Sequence, residues 1–120
     1  MLEGMKPVGY YIYESKRTAP DTDTITFVGP KVRRGQVVEL WHGSVVNYTT
    51  AGKMLLVGKR NQQGASHYYS ARKNAQYYQA HLEGRVVLIE GDEPVGVVES
   101  PTASDVLYCA FRGIIYEYPE

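Results

Sequence analysis

An all-β chain folded as an antiparallel β-sandwich or barrel is what this sequence predicts. Two observations carry the expectation. Residues 83–118, EGRVVLIEGDEPVGVVESPTASDVLYCAFRGIIYEY, alternate short apolar runs with turn signals. Short strands punctuated at this spacing belong to sandwiches and barrels. The runs are also rich in valine, isoleucine and tyrosine, which fit a pleated, half-buried surface.

From the start of the chain, residues 1–6 read as a loose or adaptable segment. Residues 8–13, VGYYIY, form an aromatic-rich strand. Residues 15–23 hold Pro20, two aspartates and small polar residues, and so read as a loop. Residues 25–28 make a short strand ended by Gly29 and Pro30. Residues 1–30 are thus an N-terminal strand with either a long loop or an extended arm. Residues 31–120 are the sandwich domain.

Arg33, Arg34 and Gly35 turn the chain into QVVELWH, residues 36–42. Alternation puts Val38 and Leu40 on one side, and Val37, Glu39 and Trp41 on the other. Gly43 marks a bulge or bend, and residues 44–49 continue as a second extended piece. Residues 54–58 read as a buried strand and residues 61–64 as a polar turn. Residues 65–80, ASHYYSARKNAQYYQA, read as two short strands around a loop, with a helical turn at 70–75 as the alternative.

At the C-terminal end, residues 86–89, 95–98, 106–111 and 114–118 are strand candidates, with Gly113 interrupting the last two. Leu107, Cys109 and Phe111 share one face, and Val106, Tyr108 and Ala110 the other. Both faces are apolar, whereas a strand with one solvated face alternates more cleanly. Either this strand is covered on both sides, or its second face meets another subunit.

The chain of 120 residues is one domain of ordinary size, and 43% hydrophobic content is ordinary for a globular protein. Thirteen basic residues balance thirteen acidic ones, which argues against a globally basic nucleic-acid binder. The N-terminus lacks the apolar run of a signal peptide, and no run reaches membrane-spanning length. A soluble product made inside a cell is expected, with no membrane and no nucleic-acid partner.

No motif carries catalysis, and neither a cofactor nor an enzymatic activity is expected. Cys109 is the lone cysteine, so no internal disulfide is possible, and it reads as a small buried apolar residue. His42, His67 and His81 lie far apart without paired ligand spacing. Their meeting beside a carboxylate around a pocket would support a small enzyme. Asp21 and Asp23 offer two carboxylates where calcium needs six or more oxygens. Glu90, Gly91, Asp92 and Glu93 read as a hairpin connection. Gly52 and Lys53 lack phosphate-loop spacing. Asn47, Tyr48 and Thr49 match a glycosylation sequon.

Lys31, Arg33 and Arg34 form the clearest basic cluster. The chain also holds eleven tyrosines. Tyrosine suits strands, protein interfaces and sugar stacking alike. Candidate protein-interface residues are Tyr10, Tyr11, Tyr13, Val106, Tyr108 and Tyr116. A glycan-binding alternative uses Trp41, Tyr68, Tyr69, Tyr77 and Tyr78.

Residues 31–118 resemble small β-sandwich accessory virion proteins of tailed bacteriophages. The resemblance rests on the Gly-Asp turn at 91–92, the Thr-Ala-Ser-Asp turn at 102–105, the final Gly-Ile-Ile-Tyr-Glu-Tyr and the Arg-Arg-Gly turn. Trimeric tumour-necrosis-factor-like and complement-like jelly rolls show similar Gly-Asp turns. The resemblance implies a jelly-roll-like, non-enzymatic structural protein of the virion, assembled in the host cytoplasm. It would decorate or cement a capsid, or join a head or tail component. Its partners would be other virion proteins, and it would be a homo-oligomer or bound to a lattice.

Overall fold

The structure, a computed structural model, describes residues 4–73 and 79–119. Among these residues, nine strands make two antiparallel sheets. They are β1 (Lys6–Thr18), β2 (Ile25–Val28), β3 (Gln36–Asn47), β4 (Leu55–Arg60), β5 (Ser66–Arg72), β6 (Gln79–His81), β7 (Val86–Leu88), β8 (Glu93–Val98) and β9 (Val106–Glu117). The first sheet runs β1-β9-β3-β6, with β7 also pairing β3. The second runs β2-β8-β4-β5. β6 and β7 pair successive parts of β3, at Ser44–Val46 and Val38–Leu40. They therefore act as one edge strand with a gap, and the sandwich has eight strand positions. With the chain crossing repeatedly between the sheets, this is the jelly-roll plan.

The core follows from the period of two. Val38, Leu40 and Val45 of β3 and Leu107, Cys109 and Phe111 of β9 face the second sheet. There they meet Phe27, Leu55, Val57 and Val98. Each fully buried side chain of this size stabilises the fold by about 1.5–3 kcal/mol. Burial pushes the Cys109 thiol up to about 12, against a smaller opposing pull from Arg17. It is therefore a packing residue, the small buried apolar side chain expected from the sequence.

Several local expectations change. β1 runs on to Thr18, where a loop was read from residue 15. It gains hydrogen bonds from β9 along that whole length, with Lys16 opposite Tyr108 and Thr18 opposite Val106. Polar residues suit it because its outer face is in solvent. Residues 1–30 are also not set apart from a sandwich starting at 31. β1 and β2 are edge strands of the two sheets.

Gly113 does not divide the last strand, since β9 passes through it unbroken. A Cβ there would sit 2.3 Å from the Glu39 carbonyl oxygen, so the glycine allows β3 to lie close. The bulge expected at Gly43 falls between Leu40 and His42, leaving Trp41 as the extra residue. That insertion keeps Val45 inward despite its odd spacing from Leu40.

Residues 65–80 do contain two strands, β5 and β6, but in different sheets. β7 and β8 likewise belong to different sheets, so residues 90–93 carry a crossover rather than a hairpin.

Candidate docking face

The outer face of the first sheet is built by the residues that alternate with the core. On β1 these are Tyr10 and Ile12, 75% and 63% exposed. Register places Tyr10 beside Ile114 and Ile12 beside Arg112 on β9, with Glu39 and His42 of β3 next across the sheet. Further along, Lys16, Tyr108 and Val46 form another row. Trp41 on the bulge is 46% exposed and Val87 on β7 is 39% exposed. Tyr48 lies against Tyr108 with ring centroids 6.3 Å apart. A shallow hollow of about 240 Å³ is lined by Pro7, Gly9, Tyr10 and Ile114.

Charges of both signs interrupt this apolar surface. Arg112 pairs with Glu14, and Arg85 Nη1 lies 2.7 Å from Glu39 Oε1. Glu39 is buried beneath the exposed Arg85, whereas Arg112 and Glu14 are both open to solvent, where a pair adds little stability but can set the orientation of a partner.

The six candidate interface tyrosines and valine divide. Tyr10, Val106 and Tyr108 share the outer face. Tyr11 turns inward and is buried, donating its hydroxyl proton to the Pro30 carbonyl at 2.5 Å. Burial, then the nearby Glu93, pushes its pKa upward. Tyr13 also faces the core side, 6.1 Å from the Phe111 ring. Tyr116 is buried at 4% exposure. Tyr11 and Tyr116 are thus closed to docking, and Tyr13, half-buried, packs on the core side and not on the outer face.

The described aromatic residues of the glycan alternative are not gathered into one platform. Trp41 stands on the first sheet, while Tyr68 and Tyr69 lie half exposed on β5 at an edge of the second. Tyr77 and Tyr78 lie outside the described residues. The histidines are similarly divided: His42 and His81 belong to the first sheet and His67 to the second. Among the described residues, no group of three or more histidine, cysteine, aspartate or glutamate side chains could hold a metal.

The sequon asparagine has a structural task. Asn47 is wholly buried and its Nδ2 donates to Asp105 Oδ2 at 2.8 Å. Its Oδ1 accepts from the Thr49 and Thr50 amides. Asp105 also accepts from the Thr50 hydroxyl at 2.7 Å and the Thr102 amide at 2.8 Å. Burial acts to raise the Asp105 pKa, but the hydrogen bonds from Asn47, Thr50 and Thr102 outweigh it and hold it below the ordinary aspartate value. Asn47 Nδ2 is wholly buried against Asp105, so a glycan there is incompatible with this fold. Asp21 and Asp23 form an exposed turn in which the Asp23 amide donates to Asp21 Oδ1.

No protein-family model matches the chain, and no curated protein sequence does. Solved structures are similar in form. The globular domain of zebrafish complement 1qA matches with a TM-score of 0.46 at 14% identity, covering 90% of this chain and 95% of that one. The Drosophila NLP core, described with pentamer formation and histone binding, matches with a TM-score of 0.44 at 13% identity, covering 87% and 96%. The CBM22-1 xylan-binding domain of Paenibacillus barcinonensis Xyn10C matches with a TM-score of 0.40 at 14% identity, covering 98% and 88%. Likenesses at this level carry no functional argument.

Proposed function

We propose that this chain is a non-enzymatic structural protein of a bacteriophage virion that works by docking the outer face of its first sheet. The observation that carries the docking is the exposure of Tyr10 and Ile12 on β1 and of Trp41 on β3, large apolar side chains left in water on the first sheet. Apolar patches rimmed by charge are the form that protein interfaces take. The face carries Glu14 and Glu39 beside Arg85, Arg112 and Lys16. Such a mixture is complementary to a second copy turned against it, and the balanced net charge leaves no overall repulsion between copies. The virion setting rests on the resemblance of residues 31–118. Decoration of a capsid, cementing of its subunits and joining of head to tail all use this same surface burial, multiplied over many copies.

The test is solution mass by light scattering across concentration, on the wild type and on Ile12→Asp. A discrete oligomer that the substitution dissociates, with thermal stability retained, is the expected result. Buried interface residues of this kind contribute on the order of 1–3 kcal/mol each. A wild type that is monomeric at every concentration overturns docking between copies.

A further inference from the structure

We infer that a cleft at one end of the sandwich binds an acidic saccharide, with the anionic group held by Arg33, Arg34 and Lys31, and sugar hydroxyls held by Glu90 and Gln62. This goes beyond the docking face and uses none of its residues.

The cleft has a volume of about 610 Å³ and is lined by Lys31, Val32, Arg33, Arg34, Gln62, Glu90 and Gly91. That size suits a mono- or disaccharide. Its walls are two tight turns. The Gln36 amide donates to the Arg33 carbonyl at 3.1 Å, and Gly35 takes a φ of 78°. The Asp92 amide donates to the Ile89 carbonyl at 2.9 Å, and Gly91 takes a φ of 86°. Only glycine adopts that conformation without strain.

The walls are bolted together. The Val32 amide donates to the Asp92 carbonyl at 2.9 Å, and the Gly91 amide to the Val32 carbonyl at 3.0 Å. The Asp92 carboxylate accepts from the Ile89 amide at 3.0 Å and from Lys59 Nζ at 3.1 Å. The Val32 side chain is buried in the core, which fixes the basic residues on either side of it. A site held this way loses little entropy on binding.

The arginine inventory points to the ligand's charge. Arg60, Arg72, Arg85 and Arg112 are in ion pairs, and Arg17 lies over the Phe27 ring. Among the described residues, Arg33 and Arg34 are the two arginines with no such partner, and both line the cleft. The guanidinium fork matches carboxylate, phosphate and sulfate oxygens. Lys31 adds a third positive charge.

The remaining lining narrows the class. Among the described residues no aromatic ring lines the cleft, so a nucleobase would lack a stacking surface there. Among the described lining residues the one large apolar side chain, Val32, is buried and gives a peptide side chain no anchor. Glu90 would repel a bare anion, yet a carboxylate is a strong acceptor for hydroxyl donors, and the Gln62 amide both donates and accepts. Cations for an acid group beside acceptors for hydroxyls fit a sugar that carries both.

The experiment follows backbone amide shifts of the whole chain by NMR. The titrants are glucuronate, glucose 6-phosphate and glucose 6-sulfate, with glucose, inorganic phosphate and N-acetylglutamate as comparisons. At least one acidic sugar is expected to shift the amides of residues 31–36 and 90–92 saturably, and to bind about tenfold more tightly than glucose or phosphate, the worth of one charged hydrogen bond. Which acidic sugar binds best identifies the acid group. Binding is lost in Arg33→Ala/Arg34→Ala. Glu90→Gln weakens the sugar while strengthening inorganic phosphate, because it exchanges a charged hydroxyl acceptor for a weaker neutral one and removes a repulsion.

Equal affinity for N-acetylglutamate or phosphate overturns the saccharide assignment. So does strengthening of sugar and phosphate alike in Glu90→Gln, or the absence of saturable shifts below about 50 mM, weaker than any useful site.

Discussion

The two ends of strand β3 treat charge in opposite ways. At the far end, Asn47 and Asp105 are buried, and every side-chain polar atom of the pair has a hydrogen-bond partner. At the near end, Lys31, Arg33 and Arg34 face an open cleft and are tied to no carboxylate among the described residues. The first arrangement closes a sandwich, because a buried polar group costs free energy unless it is hydrogen-bonded. The second contributes nothing to closing it. Like charges held side by side on rigid turns cost a little stability, so of the two ends only the closed one works to hold the fold.

Removing the closed end should have the largest effect. Asp105→Ala takes away three accepted hydrogen bonds and strands the buried Asn47 amide. It is expected to destabilise the fold by about 2–4 kcal/mol in denaturant unfolding. A loss within 0.5 kcal/mol, the range of ordinary surface substitutions, would make the two ends equivalent.

The same residue gives the closed end an acid dependence. Its folded pKa lies below the ordinary aspartate value of 3.8. Its contribution is therefore complete above that value, and is lost as the pH falls from there through the lower folded pKa. Unfolding curves of the wild type and Asp105→Asn should converge over that acid range. Curves that stay parallel would remove Asp105 as the source.

Thr50→Val is a milder version. It deletes one hydroxyl donor to Asp105 and is expected to cost about 1 kcal/mol. At the open end, Arg33→Ala/Arg34→Ala should change stability by no more than about 0.5 kcal/mol, in either direction, because both side chains are exposed. A loss above 2 kcal/mol would show that the basic turn is structural after all. Cys109 offers the smallest readout: its buried thiol should stay unreactive to a thiol reagent until the chain unfolds.

Much of the frame was legible in residue order. The strand runs at 25–28, 36–42, 86–89 and 95–98 appear close to where they were read, because period-two alternation and turn residues are local signals. The doubly apolar strand at 106–111 was also visible. The structure resolves its ambiguity by putting Leu107, Cys109 and Phe111 against the second sheet and leaving Tyr108 on the outer one. Tyr11 could not be separated from Tyr10 by chemistry alone. Their opposite fates follow from which face of β1 meets the core.

By itself, then, the sequence determined an all-β class, most strand positions, the turn at Gly35 and the small, buried apolar character of Cys109. Each depends on propensity or periodicity within a few residues. Only tertiary structure decided that Gly113 lies within a strand, that Trp41 is a bulge, and that Asn47 is a buried strut. It also decided that Gln62 and Glu90 join the basic turn at 31–34. These depend on which backbone lies opposite and on how the crossovers bring distant turns to one end, and no local pattern carries that information.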